Sequence, residues 1–502
     1  MTAPLRERRA GLLLHPTSLP GPYGIGDLGP AAHAFADALA RAGMTFWQVL
    51  PLGPTGYGDS PYQTFSAFAG NPYLISPDDL LAAGLLAPED LTDAPPCPPG
   101  RVDYGAVIPW KRALLRRAFA RFRAGGFPQL ETDLAAFREA HRGWLDDFAL
   151  FMALKAAHRG APWTAWPAPL RDRQPAALAR AAREHADAVA QVVFEQFLFF
   201  RQWHALRQFA AERGVRFIGD APIFVAHDSA DVWAHPELFC LNDAGQPTVV
   251  AGVPPDYFSA TGQRWGNPLY CWEAHRQRGY AWWLARLRTL LALVDVVRLD
   301  HFRGFAAYWE IPADAPTAET GRWVPGPGAE FFAAVRDTLG DPPLIAEDLG
   351  VITPDVVALR EQFGFPGMKV LVFAFDSGAD NPFLPHNFAS TNFVVYTATH
   401  DNDTVVGWWQ RASEEEKDFL RRYLATDARD VAWDLLRAAW RSVARWAIAP
   451  VQDVLRLDNA ARMNFPGRVG GNWAWRMTAP LPDEAVARLR ELNALYGRLR
   501  RV

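Results

Sequence analysis

The stretch VDVVRLDHFRGF, residues 294–305, carries an apolar run into Arg298, Asp300, His301 and Arg303. Polar groups of this kind are costly beside a core unless they are paired or put to use. Similar endings recur: VRFIGDAPI runs through Asp220, PLIAEDLG ends in Glu347 and Asp348, and NFVVYTATHDN ends in His400 and Asp401. Side chains alternate along an extended strand, so Arg298 and Asp300 share a face, and the guanidinium is expected to lower the carboxyl's proton affinity. The same alternation separates Glu347 from Asp348. Glu347 has the longer reach toward a leaving-group oxygen, and Asp348 is expected to be structural, as a cap for the helix that follows.

Convergent carboxylates serve three kinds of chemistry. Metal catalysis normally adds a lysine or histidine base to the acids, but this chain has only four lysines, and arginines flank the acids. Phosphoryl transfer calls for a glycine-rich phosphate cradle, and none is present. Glycoside chemistry needs an ionised nucleophile and a second acid that keeps its proton, and a third carboxylate can support the sugar cation. That chemistry fits best. Each acid also has a plainer reading: Asp300 as an ion-pair partner of Arg298, Glu347 as a cap or packing acid, and Asp401 as a turn residue.

Elements must bring these residues to one place. Short apolar runs occur at 11–19, 45–52, 215–223, 295–302, 343–350, 367–375, 392–402 and 450–455, with helical patterns between many of them, as at 274–293, 353–363 and 434–448. Eight strands with intervening helices predict an α/β fold, a (β/α)8 TIM barrel, whose chemistry gathers at the C-terminal strand ends. A doubly wound sheet would show a glycine fingerprint after its first strand, and this chain lacks one. Two gaps are too long for barrel loops. The expected organisation is a catalytic barrel spanning 1–502 as a whole, a largely helical inserted subdomain at about 70–190, and a loop-rich inserted subdomain at about 224–273 over the cleft.

Composition narrows the function further. Half of the 502 residues are apolar and the net charge is -4, which gives no electrostatic footprint for nucleic acid or a lipid surface. No run approaches a membrane span, and the apolar run near the N-terminus is too short for a secretion signal. Cys97, Cys240 and Cys271 form neither a disulfide scaffold nor a metal motif, so a reducing cytoplasm is expected. Of the 20 tryptophans, those at 233, 265, 408, 409, 473 and 475 lie among Asp, Gly, Asn and His, a setting in which flat rings hold sugars. Core packing remains the plainer account of most of them.

Longer strings are more specific. GYGDSPYQ (56–63), GDAPIFVAHDSADVW (219–233), PPDYFSATGQRWGNPLY (254–270), VVRLDHFRGF (296–305), IAEDLG (345–350), FGFPGMKVL (363–371), THDNDT (399–404) and NFPGRVGGNWAWR (464–476) resemble the 4-alpha-glucanotransferases called amylomaltases or disproportionating enzymes. The resemblance runs from LLLHPTSLPGPYGIGDLG (12–29) into the C-terminal region, and it departs at LDNA (457–460). It implies an alpha-retaining mechanism on a decorated barrel, with Asp300 as nucleophile, Glu347 as general acid/base and Asp401 as the third carboxylate. Arg298 and His400 match orienting residues. Asp220, His301 and Asn464 match sugar-binding positions, Tyr57 an aromatic sugar contact, and Trp265, Gly266 and Asn267 a loop arching over the bound chain. For Tyr57 and Trp265, simple packing is the competing account. The implied donor is maltodextrin, amylose or a related alpha-glucan, and the acceptor is glucose or maltodextrin. No metal or organic cofactor is implied, and a monomer is expected. An amylase-type hydrolase is the nearest alternative, and a catalytically silent glucan-binding protein a more distant one.

Overall fold

The computed structural model describes residues 7–96, 98–255, 259–468 and 470–500. Cys97 and the DYF of the 254–270 string (256–258) lie outside the described residues. Twelve strands occur among them: β1 (Arg9–Leu13), β2 (Phe46–Gln48), β3 (Arg216–Ala221), β4 (Val249–Val253), β5 (Gln263–Pro268), β6 (Val296–Leu299), β7 (Ala307–Pro312), β8 (Arg322–Pro325), β9 (Leu344–Ala346), β10 (Gly367–Val370), β11 (Phe393–Tyr396) and β12 (Trp446–Pro450).

Eight of these pair in parallel in the order β10-β11-β12-β1-β2-β3-β6-β9. The Ala346 N–H donates to the Pro366 carbonyl at 2.9 Å, bridging the two ends of the sheet into a barrel. The barrel strands read as apolar runs because helices cover their outer side and side chains fill the inside. Register sets the chemistry: Asp220 on β3 lies opposite Arg298 on β6, and Arg298 lies opposite Ile345 on β9.

The eighth barrel strand differs from expectation. β12 covers Trp446–Pro450, and the expected strand at 450–455 is instead the short helix Val451–Val454. The preceding helix stops at Arg441, before the tryptophan and alanines that extend its apolar pattern.

Between β2 and β3 the chain is mainly helical, including Tyr104–Arg123, Pro128–Ala157 and Ala186–Glu212. The last of these is a barrel helix. Its Trp203 packs against Phe217 of β3, with ring centroids 4.9 Å apart, and donates from Nε1 to the Leu293 carbonyl at 2.8 Å.

The 224–273 stretch, expected to be loop-rich, contributes two strands of a second sheet. That sheet is antiparallel in the order β5-β4-β7-β8, with β7 and β8 drawn from the chain after Arg303. Among the described residues, no helix is long and apolar enough to cross a membrane.

Candidate active site

The carboxylates gather where the barrel strands end. Asp300 follows β6, and its N–H donates to the Ala221 carbonyl of β3 at 3.0 Å. Glu347 follows β9, and its N–H donates to the Leu299 carbonyl of β6 at 3.0 Å. Backbone ladders therefore hold both acids by extending the strands that carry them.

Arg298 organises the floor of the site. Its Nη1 reaches both oxygens of Asp220, at 2.8 and 2.7 Å, and Oδ1 of Asp300 at 2.9 Å. Its Nε faces the Met368 sulfur at 3.4 Å. Asp220 also accepts from the Tyr62 hydroxyl at 2.7 Å. The side chains of Asp220 and Arg298 are 0% and 5% exposed, whereas those of Asp300 and Asp401 keep 27% and 43%. The first pair is sealed beneath the cleft, and the second pair faces it.

Both oxygens of Glu347 are held by backbone donors: the His301 N–H reaches Oε2 and the Leu349 N–H reaches Oε1, each at 2.8 Å. His301 adopts a left-handed backbone (φ 51°), which is uncommon for a residue with a side chain. That turn aims its N–H at Glu347. The His301 Nε2 is buried and has no hydrogen-bond partner. The edge of the Trp265 ring meets the same imidazole at 4.8 Å between centroids.

Asp401 approaches from the loop after β11. Its Oδ1 accepts from Asn464 Nδ2 at 2.7 Å, its Oδ2 lies 3.4 Å from His400 Nε2, and its carbonyl accepts from Arg462 at 2.5 Å. Tyr62 stacks on the buried His400 at 5.2 Å, and Trp473 leans on both rings.

Electrostatics correct one expectation. Burial pushes the Asp300 carboxyl well above the usual carboxylate range; Arg298 opposes that rise, while Asp220, Glu347 and Asp401 add to it. Arg298 does not give Asp300 a low proton affinity, because burial outweighs the attraction of the guanidinium. Burial likewise raises Glu347, against Arg298 and the two N–H donors. The cluster therefore holds on to a proton, which an acid/base needs. Burial, with Arg303 adding to it, pushes His301 down to about 3. Burial also lowers His400 despite neighbouring Asp401. Both imidazoles are neutral near pH 7 and so can accept as well as donate hydrogen bonds.

The structure thus unites Asp220, Arg298, Asp300, His301, Glu347, His400, Asp401, Asn464 and Trp265. Gly266, at φ 81°, holds the left-handed turn beside Trp265 that favours glycine. Asn267 is buried: it donates to the Val225 carbonyl at 2.9 Å and accepts from Gln63 at 3.3 Å, so it braces the loop. Tyr57 lies apart, 76% exposed in the turn Tyr57–Asp59. Trp233 is fully buried against Phe151 and Trp166, which assigns it to the core. Asp348 is structural, as expected, but it pairs with Arg360 at 2.5 Å and accepts from the Met368 N–H at 2.7 Å instead of capping the next helix.

Tyr62 is the residue that sequence reasoning passed over. It lies in the same GYGDSPYQ string as Tyr57, and only the fold shows which of the two tyrosines points at an acid.

The family model described as 4-alpha-glucanotransferase matches residues 14–481. A 4-alpha-glucanotransferase of Thermus thermophilus is 56% identical over 500 residues, covering 98% of this chain and 99% of that protein. One from Synechocystis is 51% identical over 498 residues, with 98% and 99% covered. The amylomaltase from Streptococcus agalactiae in complex with acarbose superposes with a TM-score of 0.95 at 38% identity, covering 98% of this chain and 100% of that one.

Proposed function

Because the chain belongs to the 4-alpha-glucanotransferase family and carries out that reaction on alpha-glucans, we propose that Asp300, Glu347 and Asp401 divide the work of a retaining double displacement. Oδ1 of Asp300 lies against Arg298, so Oδ2 is assigned the attack on the anomeric carbon of the donor. The bond from that carbon to the glycosidic oxygen breaks as Glu347 gives its proton to the departing oxygen. A glucan chain with a new non-reducing end leaves. The 4-hydroxyl of an acceptor then passes its proton to the Glu347 carboxylate and attacks the same carbon, and Asp300 departs as a carboxylate. Two inversions restore the starting configuration, and a retaining mechanism calls for the two carboxyl groups to lie about 5–5.5 Å apart.

The observation that carries this reading is the clamp on Glu347 by two backbone donors, one of them the N–H of His301, the residue next to Asp300. The clamp fixes the acid's direction, and burial raises its proton affinity. Asp401, held by Asn464 and His400, is assigned the sugar hydroxyls and the distorted ring of the transition state. Asp220 and Arg298 hold the nucleophile's orientation. The free Nε2 of neutral His301 is assigned a sugar hydroxyl, and the Trp265 ring and Tyr57 are assigned glucan contacts. The donor is a maltodextrin or amylose and the acceptor a glucose or maltodextrin, with the antiparallel sheet shielding the intermediate from water.

Purified protein and maltotriose test this reading. Glucose plus a ladder of longer maltodextrins, with constant reducing-end concentration, is expected. Glucose and maltose with rising reducing ends would establish water as the acceptor and overturn the transfer reading.

A further inference from the structure

A carboxylate with no part in the proposed cycle sits in the short helix after β12. Asp453 is wholly buried (0% exposed). Its Oδ2 accepts from the Thr397 hydroxyl at 2.6 Å, and its Oδ1 accepts from the Val405 backbone N–H at 2.8 Å. Thr397 directly follows β11, and Val405 opens the helix Val405–Arg411. The chain between these two points is ATHDNDT, the loop that presents His400 and Asp401.

One side chain therefore ties both feet of that loop to the short helix after the neighbouring barrel strand. Other bonds hold the rest of the loop: Asn402 accepts from both the N–H and the hydroxyl of Thr399, at 3.0 and 2.8 Å, and Asn459 accepts from the N–H of Thr404, beside the second foot, at 3.1 Å. Asn464 and Arg462 hold Asp401 itself, and the Thr397 N–H donates to the Ile448 carbonyl of β12 at 3.4 Å, but each of these bonds reaches one part of the loop, whereas Asp453 bonds both feet. A buried carboxylate is expensive, and burial pushes the Asp453 carboxyl up to about 6. Two acceptor atoms on one rigid group are what the position uses, because each foot offers one donor. Asparagine would supply a single acceptor and turn an N–H toward one of those donors.

We propose that Asp453 is a positioning residue for catalysis, setting the spacing of the loop feet and through it the placement of the Asp401 carboxylate in the cleft. This rests on the role assigned above to Asp401. A misplacement of about 1 Å remote from the chemistry costs on the order of 100-fold in rate.

The test is a double-mutant cycle on maltotriose disproportionation. Asp453→Asn and Thr397→Val are each expected to lower kcat about 10- to 100-fold with KM changed less than about threefold. Thr397→Ser, which keeps the hydroxyl, is expected to restore most of kcat. In an Asp401→Ala background, Asp453→Asn is expected to cost less than about twofold more, because its route to the chemistry is gone. Thr397→Val leaves the Val405 bond intact and carries the test if the Asp453 variant does not fold. An equal loss from Asp453→Asn with and without Asp401 would overturn the proposal, as would unchanged kcat in Asp453→Asn and Thr397→Val. Near-normal kcat in Asp401→Ala alone would instead overturn the role of Asp401.

Discussion

Two arginines are buried at opposite ends of the same barrel, and they live in opposite company. Arg298, at the mouth, faces carboxylates: Asp220 at 2.7 Å and Asp300 at 2.9 Å. Arg498, at the opposite end of the barrel, faces only backbone carbonyls as hydrogen-bond partners among the described residues, those of Arg9, Trp440, Ser442, Ala444 and Arg445, at 2.8 to 3.3 Å. Burial works against both charges. Asp220 and Asp300 outweigh it and hold Arg298 well above its ordinary value, whereas burial and the nearby Arg8 bring Arg498 down to about 9. The floor uses a cation as a many-armed clasp joining β1, the start of β12 and the C-terminal tail. The mouth uses one to control the ionisation of acids. Chemistry at the C-terminal strand ends and stability at the other end is the division a barrel favours.

The largest predicted effect is on the acid that Arg298 serves. Asp300→Asn should lower transfer on the order of 10⁴-fold or more while the melting temperature stays within about 2 °C. A folded variant with near-normal transfer on a chromatographic assay would remove Asp300 from the nucleophile's role.

The same substitution at both ends sharpens the contrast. Arg298→Lys keeps the charge but loses the fixed fork, and should cost about 10- to 100-fold in kcat/KM. It should also move the acid limb of the pH–rate profile upward. Arg298 lowers the Asp300 proton affinity, so a poorer cation lets that affinity rise, and the nucleophile then ionises at higher pH. Arg498→Lys should do the reverse: about 1–3 kcal/mol less stable in denaturant titration, with kcat within about twofold. Activity loss in Arg498→Lys without loss of stability would contradict a structural role for Arg498.

The smallest effect belongs to the rim. Trp265→Ala should raise KM for maltodextrins about 3- to 10-fold with little change in stability, since an aromatic contact contributes about 0.5–1.5 kcal/mol. Initial rates across a maltodextrin series check this, and an unchanged KM would return Trp265 to packing.

Much of the mouth is legible in the sequence. The pairing of Arg298 with Asp300 follows from alternation on one strand, and the separation of Glu347 from Asp348 follows from the same rule. The hold of Arg298 on Asp220 does not, because it depends on the register between β3 and β6, which no local pattern encodes. Asp300 is expected to be easily ionised and is not, because burial outweighs Arg298 and Asp220 adds to the rise. Seven barrel strands announce themselves as short apolar runs ending in polar residues. The eighth, WAIAP, continues the apolar pattern of the helix before it, so its start is hidden and the strand is expected several residues late. Tyr57 and Tyr62 are equivalent as letters. Only the packing of Tyr62 on His400 and Asp220 separates the residue beside the acids from the exposed one.

During transfer, Asp300 is expected to become covalently bound to glucan. Glu347→Gln, given an alpha-maltosyl fluoride, tests it most directly: fluoride leaves without an acid, and no base remains to activate the acceptor. Intact mass spectrometry of the quenched protein should show one added maltosyl unit, and peptide mapping should place it on Asp300. A label on Asp401, or consumption of the fluoride with inverted product and no label, would contradict the account.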